Sequence, residues 1–386
     1  MEVDFFLFFV GVLAGIVTGF VPGIHSNTAV AVIASLGFRS DRFASIAIGL
    51  FPAHIIASFI PSIFFGVPEQ GVVLSVLPGQ RLVLEGRGLL ALKTVLVACA
   101  LSIILCAAVF LPSLSVYTFV YGLIKEYVKI IVPLVCIFLF MRSKNPVLSL
   151  LFFLLAGGIG AYTLNSGMED PFLPVFSGMF AVAAIMNYSP HKIPAQHDEG
   201  IDRSALRWVP FGVLLGMFSD LLPGIGSASQ VAAFATIMMP SESLSFLVLI
   251  SSIAVSGGIF TLSTAASIGK ARMGATAAIA GAVDVGQSLP GLLSLALLSS
   301  AICVCILFFF RTKISRIAGV DFTKANTILL LYLVAINLLI NGVAGVFVLL
   351  IASLLGWLTI RLDVERTNLM GAVIVPTILL LYGIFS

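Results

Sequence analysis

The chain has 386 residues, of which 60% are hydrophobic and 10% charged, and its formal net charge is +3. So few charges cannot cover the surface of a water-soluble protein of this length, so lipid must be the main solvent. The small, dispersed positive charge argues against a nucleic-acid partner and leaves the basic residues to orient spans in a bilayer.

In chain order, the opening "MEVDFF" has no basic region ahead of its apolar run and no small-residue cleavage site, so it reads as retained. A broken hairpin is expected over 9–38, a span over 45–61 and a second Gly/Pro-interrupted segment over 62–87. Apolar runs at 88–110 and 146–164 have the 17–25 residues, roughly, that a hydrocarbon core of about 30 Å requires. After a polar connection at 189–208 the pattern resumes: a broken hairpin at 210–240, a span at 245–262, an interrupted segment at 263–288, then runs at 289–310, 325–340, 343–360 and 368–385. Cys99, Cys106, Cys136, Cys303 and Cys305 all fall in apolar stretches without metal-ligand spacing, and read as packing residues.

The second half repeats the first. "GVLAGIVTGFVPGIHSNTAV" at 11–30 aligns without a gap with "GVLLGMFSDLLPGIGSASQV" at 212–231, sharing Gly-xxx-Gly and Pro-Gly-Ile-x-Ser. "LNSGMEDPFLPVFSGMF" at 164–180 similarly answers "LDVERTNLMGAVIVPTI" at 362–378, and "VLPGQRLVLEGRGLL" answers "IAGAVDVGQSLPGLL". The fold class expected is an all-α polytopic membrane protein of two repeats, 1–188 and 209–386, joined by a cytoplasmic linker at 189–208. Each repeat holds re-entrant or broken hairpins and about five spans. With an odd number of spans and hairpins that leave on the side they entered, the second repeat must lie inverted relative to the first.

Charge supports that topology. With 189–208 inside, fourteen of the twenty Lys and Arg fall on the cytoplasmic side, and only Arg39, Arg42, Lys125, Lys129, Lys270 and Arg272 fall outside. Both termini are then expected to be extracytoplasmic, in a multi-pass cell-membrane protein.

Breaking a helix at membrane depth is tolerated only where the freed backbone is buried in protein or lines a watered cavity, so a break repeated in both halves marks a candidate binding site. Pro22-Gly23 precedes His25, Ser26, Asn27 and Thr28; Pro223-Gly224 precedes Gly226, Ser227, Ser229 and Gln230. A half-helix starting at each tip exposes unpaired N–H groups and a positive dipole end, to which the hydroxyl and amide side chains add donors. Two such tips facing each other suit an anion without a buried Lys or Arg. Three carboxylates in apolar context are candidates for coupling to Na⁺ or H⁺: Asp220, where the first half has Gly19, Asp284 and Glu69. His25 and His54 read as buried hydrogen-bonded residues, and Lys270 and Arg272 as interfacial charge. No cofactor is expected beyond such an ion.

The repeated Gly-xxx-Gly and Pro-Gly-Ile pattern, with "FFGVPEQGVVLSVLPGQRLVLEGRGLLAL" at 64–92, resembles the large membrane subunit of the tripartite tricarboxylate transporters, the TctA family. Gly66, Pro68, Gly79, Gly86, Gly88, Ala91 and Leu92 carry that likeness in the second motif. The chain departs from it in being compact, in "PGIHSNT" where a more glycine-rich turn is usual, and in Pro-Glu-Gln where Pro-Gly is usual. The resemblance implies ion-driven uptake of a carboxylate, an extracytoplasmic binding protein that delivers it, and a small membrane subunit as companion. Assembly into an oligomer is compatible with the sequence. A second resemblance, to polyprenyl-phosphate translocases with a Pro-Gly hairpin, implies a lipid phosphate in the same cradle. Enzyme motifs such as His-Glu-x-x-His and Gly-x-Ser-x-Gly are not found, and His191, His197, Asp198 and Glu199 in the connection read as a solvated linker.

Overall fold

The computed structural model describes residues 1–21, 26–65, 75–143, 145–187, 194–219, 221, 242–271, 273–316 and 322–384. Secondary structure among the described residues is helical. The first half runs α1 (Phe5–Phe20), α2 (Ser26–Ser35), α3 (Ser40–Ala57) with a π-helical extension at Pro61–Phe65, α4 (Val76–Leu84), α5 (Gly88–Ile124), α6 (Val128–Arg142), α7 (Pro146–Leu164) and α8 (Phe172–Met186). The second half runs α9 (Val209–Ser219), α10 (Ser243–Ile268), α11 (Gly274–Ala282), α12 (Val285–Arg316), α13 (Phe322–Arg361) and α14 (Gly371–Leu381). Inside α13, Gly342 sits at φ 65° and ψ −160°, so two helical arms meet at a sharp corner. Taking each arm as a helix, α1 and α3–α8 correspond in order to α9–α12, the two arms of α13 and α14; the counterpart of α2 falls outside the described residues. Helix starts pair α4 with α11, which sets 76–84 against 274–282 and shifts the expected alignment of that stretch by several residues.

Local chemistry fixes these boundaries. Asp4 accepts from the Leu7 N–H and caps α1; Asn145 caps α7 by accepting from Leu148, with Pro146 at the first position. Gly269 at φ 63° closes α10. Helix α5 spans 37 residues, about 55 Å, far longer than a hydrocarbon core needs, whereas α6 has 15 residues and α14 has 11.

Helix directions follow from named contacts. The Asp4 N–H donates to Ser45 Oγ at 3.1 Å and the Asp4 carboxylate faces Arg42 at 3.4 Å, so α1 and α3 start side by side. Further along, Gly11 faces Ile46, Gly15 faces Leu50 and Gly19 faces His54. The two helices are therefore parallel, and the chain between them turns back through α2 to the level at which it began: the hairpin is re-entrant. In the second half α9 and α10 are likewise parallel, with Gly212 against Leu249, Gly216 against Ile253 and Ser219 against Gly257. A Cβ on Gly11 or Gly15 would lie 2.2 Å from a carbonyl oxygen of α3, which shows how closely these backbones approach.

Between halves the packing is exchanged. Helix α3 lies parallel to α12, with Ser299 Oγ donating to the Gly49 carbonyl and Cys303 against Ala53. Its counterpart α10 lies parallel to α5, with the Phe110 and Phe260 rings stacked at 6.1 Å and Ser113 bonded to Ser263 at 2.9 Å. Gly88 at the start of α5 lies against Phe64 at the end of α3, so α3 and α5 run oppositely, and α10 therefore opposes α3.

The buried apolar residues fall into two sets of helices. One core is built from α1–α5 with α9–α12. The other set, α6–α8 with both arms of α13 and α14, holds a larger and a smaller cluster. Among the described residues no helix of one set packs along a helix of the other, and Ile124, at the end of α5, touches both cores. We term these the tip bundle and the flanking bundle.

Candidate functional site

The re-entrant hairpins belong to the tip bundle. Of the residues expected at the first tip, Ser26 opens α2 and is buried, at 3% exposure. Pro22, Gly23 and His25, the side chains of Asn27 and Thr28, and the tip residues Asp220, Pro223, Gly224, Gly226, Ser227, Ser229 and Gln230 lie outside the described residues, as does Glu69. Helix α2 packs on α3 and α11, so the first half-helix is enclosed by protein of both halves.

One turn before the first break, Thr18 Oγ1 is 3.0 Å from His54 Nδ1 and also donates to the Gly15 carbonyl at 3.2 Å. His54 is 1% exposed, the buried hydrogen-bonded histidine that the sequence suggested. At the matching place in the second half, Ser219 donates to the Gly216 carbonyl at 2.8 Å and faces Gly257, so glycine stands where the first half has His54. The pairs α1–α3 and α9–α10 therefore share one architecture with different chemistry at a matched position. The Thr18–His54 pair was not legible in sequence because its members are 36 residues apart.

Around the tips the buried polar groups are hydroxyls. Ser251, Ser252 and Ser256 of α10 each donate to a carbonyl one turn back in their own helix. Such bonds let a polar side chain sit inside an apolar bundle without a desolvated donor. Asp284 is elsewhere: it is exposed and caps α12 by accepting from the Gln287 N–H at 3.0 Å. Its carboxylate is engaged at the surface rather than in a buried site. Lys270 is also exposed.

The connection between halves holds a structure that sequence reasoning read only as solvated. Residues 196–199 clasp the turn between α4 and α5: the Gly88 N–H donates to Gln196 Oε1 at 2.7 Å, Gln196 Nε2 donates to the Val83 carbonyl at 3.0 Å, and the His197 N–H donates to the Gly86 carbonyl at 2.8 Å. Lys93, buried at the start of α5, donates to the Asp198 carboxylate and to the Glu199 carbonyl, and Arg87 pairs with Glu199 at 3.2 Å. The hydrogen bond from Lys93, joined by its charge and that of Arg311, holds Asp198 below the ordinary carboxylate range. Arg311 lies near the end of α12, so the basic start of α5 and end of α12 gather on one face with this clasp.

Most of the chain, residues 5–371, matches the family model described as the tripartite tricarboxylate transporter TctA family. The chain belongs to the TctA family. This membership places it among membrane transporters, and its apolar helices make it a multi-pass membrane protein. It is similar to the uncharacterized protein MJ1079 of Methanocaldococcus jannaschii, 27% identical over 384 residues that cover 96% of each chain. No solved structure matches it. Among the described residues no group of His, Cys, Asp and Glu is arranged to hold a metal ion.

Proposed function

We propose that this chain is the large membrane component of a secondary active transporter for an organic anion of the carboxylate class. The substrate is held between the two Pro-Gly tips and moved by alternating access, with Na⁺ or H⁺ as the coupling ion and Asp220 as its principal ligand. The observation that carries this reading is the parallel packing of α1 on α3 and of α9 on α10, which requires each hairpin to enter and return on one side. Helix α10 opposing α3 supports two repeats inverted about an axis in the membrane plane, the build in which paired half-helix tips meet at mid-membrane.

Repeat 1 is residues 1–188, the linker 189–208, and repeat 2 residues 209–386. The basic ends of α5 and α12, with the clasp between them, face the cytoplasm, and both termini face outward. Within a tripartite system the chain works with a small membrane subunit and an extracytoplasmic binding protein. At the tips, Ser26, Asn27, Thr28, Ser227, Ser229 and Gln230 donate to the carboxylate beside the half-helix N–H groups, with His25 nearby. Since the anion's charge must be offset as it crosses, a carboxylate beside one tip and absent from its mate is suited to hold a cation next to it.

The test is citrate uptake into proteoliposomes under an imposed sodium or proton gradient. Wild-type protein is expected to accumulate citrate, and Asp220→Asn to lose accumulation while retaining binding and exchange. Failure of every di- and tricarboxylate to accumulate, together with saturable binding of a polyprenyl phosphate, would replace this reading with lipid-phosphate translocation.

A further inference from the structure

Away from the tips, the flanking bundle holds a cation that the described residues leave without an acceptor. The short 3-10 turn Arg366–Met370 leads into α14 and packs on α7 and α13. Its depth follows from the glycines around it. A Cβ on Gly371 would lie 2.1 Å from the Phe153 carbonyl, while Gly157 faces Val375 and Gly160 faces Ala372, so α14 runs parallel to α7 and starts beside its middle. Phe153 is seven residues past Pro146, the first residue of the span Pro146–Leu164, which puts the turn about 10 Å along that span. An ionisable residue at such depth is costly unless something pairs with it.

Two donors in this turn lack an acceptor. Arg366 is partly exposed, yet its Nη1 is enclosed and has no hydrogen-bond partner among the described residues. Asn368 is 6% exposed, and its Nδ2 is likewise enclosed and without a partner among them. The carboxylates just ahead, Asp363 and Glu365, are exposed, and among the described residues neither forms an ion pair with Arg366. The first repeat shows what is missing. In the alignment of 164–180 with 362–378, Asp170 stands where the second half has Asn368. Asp170 accepts from the Leu173 N–H at 3.1 Å, so α8 begins beside a carboxylate. No side chain caps α14 or the turn ahead of it. The positive end of α14, a guanidinium and an amide N–H therefore gather without the negative charge that the matched helix start carries. Buried polar groups are bonded and buried charges paired as a rule, so this vacancy of acceptors marks where a partner belongs.

We propose that Arg366, Asn368 and the start of α14 form an anion site in the flanking bundle, apart from the tips, that takes a phosphate oxyanion. A guanidinium presents a planar fork of N–H donors that matches two oxygens of one oxyanion, and the Asn368 amide adds a further donor. Phosphate reaches this depth from one of two sources, the headgroup of a bilayer lipid or phosphate in solution. The surroundings suit a lipid, because Leu151 and Leu154 of α7 and Leu354 and Leu358 of α13 present exposed apolar surface on the helices that flank the turn. The site stands whichever anion the tips carry.

Thermal unfolding of the purified, delipidated full-length protein in detergent tests the site with two probes, dioleoyl-phosphatidylglycerol and inorganic phosphate. Each is titrated against the wild type, Arg366→Met, Arg366→Lys and Asn368→Leu, and native mass spectrometry counts the lipid retained. Arg361→Gln is the control for general surface charge, since Arg361 is exposed and lies over the Trp357 ring at 5.4 Å. At least one probe is expected to raise the melting temperature of the wild type and of Arg361→Gln saturably. Its affinity is expected to fall at least tenfold in Arg366→Met and several-fold in Arg366→Lys and Asn368→Leu. Saturation by phosphatidylglycerol alone, with one lipid retained per chain, assigns the site to a headgroup. Saturation by inorganic phosphate, alone or in competition with the lipid, assigns it to an ion from solution. No saturable effect of either probe would overturn the proposal, as would equal affinity in the wild type and Arg366→Met, or a loss as large in Arg361→Gln. Should Arg366→Met fail to fold, Arg366→Lys and Asn368→Leu carry the comparison, and unchanged affinity in both would overturn it equally.

Discussion

The two bundles are made from the same two repeats and yet are built differently. Helices α3 and α10 at the centre of the tip bundle are buried along almost their whole length, and α1 and α9 reach them through glycines that admit no side chain. In the flanking bundle α7 and the second arm of α13 turn much of their surface outward, with Leu151, Leu154, Val343 and Phe347 all exposed. Lipid tails are as apolar as leucine, so such faces cost nothing in a bilayer, whereas burying α3 and α10 requires close packing, with hydroxyls such as those of Ser251, Ser252 and Ser256 bonded within the helix. The contrast lies in what the outer faces meet, since glycine contacts as close as those of the tip bundle also hold α7 to α14 and α8 to α13.

The largest effect expected comes from filling a glycine contact. A Cβ on Gly15 would sit 2.2 Å from the Leu50 carbonyl, and one on Gly160 would sit even closer to the Ala372 carbonyl, while one on Gly158 would meet nothing. Gly15→Leu is expected to abolish folded protein and uptake together, at a cost above about 3 kcal/mol. Gly160→Leu should instead raise hydrogen exchange in α7 and α14 and leave α3 and α10 protected, while Gly158→Ala should leave every helix unchanged. Exchange spreading evenly through both bundles in Gly160→Leu would show that their cores are not independent.

A smaller effect is expected at the corner of α13. Gly342 has a backbone conformation that only glycine adopts readily, and the neighbouring Asn341 side chain donates to the Asp170 carbonyl at 2.9 Å and accepts from the Asp170 N–H at 3.0 Å. Gly342→Ala should destabilise the flanking bundle by about 1–3 kcal/mol, read as a lowered melting temperature. A variant with unchanged melting and an intact Asn341–Asp170 contact would contradict the strain argument.

The smallest concerns the clasp, and its sign depends on which partner is removed. Asp198→Asn leaves the buried Lys93 ammonium without its carboxylate, whereas Lys93→Met leaves Asp198, already 58% exposed, free in water. The first change should therefore loosen the clasp more than the second. Because the folded-state value of Asp198 is depressed, its stabilisation is present above the ordinary carboxylate range and is lost as pH falls through the lowered value. The melting temperature of Asp198→Asn should lie below that of the parent at neutral pH, and the difference should close on strong acidification.

Much of the fold was legible in sequence because the signals are local. Apolar runs give helices, and among the described residues six are long and apolar enough to cross a membrane, with shorter apolar helices beside them. Boundaries were less legible: the run expected at 88–110 continues to Ile124, and the runs at 325–340 and 343–360 form one helix bent at Gly342. The division into two bundles was not legible at all, because periodicity cannot say which apolar face meets protein and which meets lipid. The clasp was missed for the opposite reason. Charged residues such as Asp198 and Glu199 read as solvated, and only the fold brings them to Lys93 and Arg87. At the candidate site, Ser26 and His54 proved buried, whereas Asp284, an attractive carboxylate in an apolar context, turned out to be an exposed cap.

The proposal that two inverted tips share one anion is tested most directly by a double-mutant cycle on citrate binding, measured calorimetrically in detergent with sodium present. Asn27→Ala and Ser229→Ala come from different halves, 202 residues apart in sequence. Each is expected to weaken binding several-fold, by about 0.5–1.5 kcal/mol, and the two together are expected to depart from additivity by at least about 0.5 kcal/mol, because one ligand joins them. Citrate affinity unchanged in the double variant, or losses that simply add, would contradict a shared site between the tips.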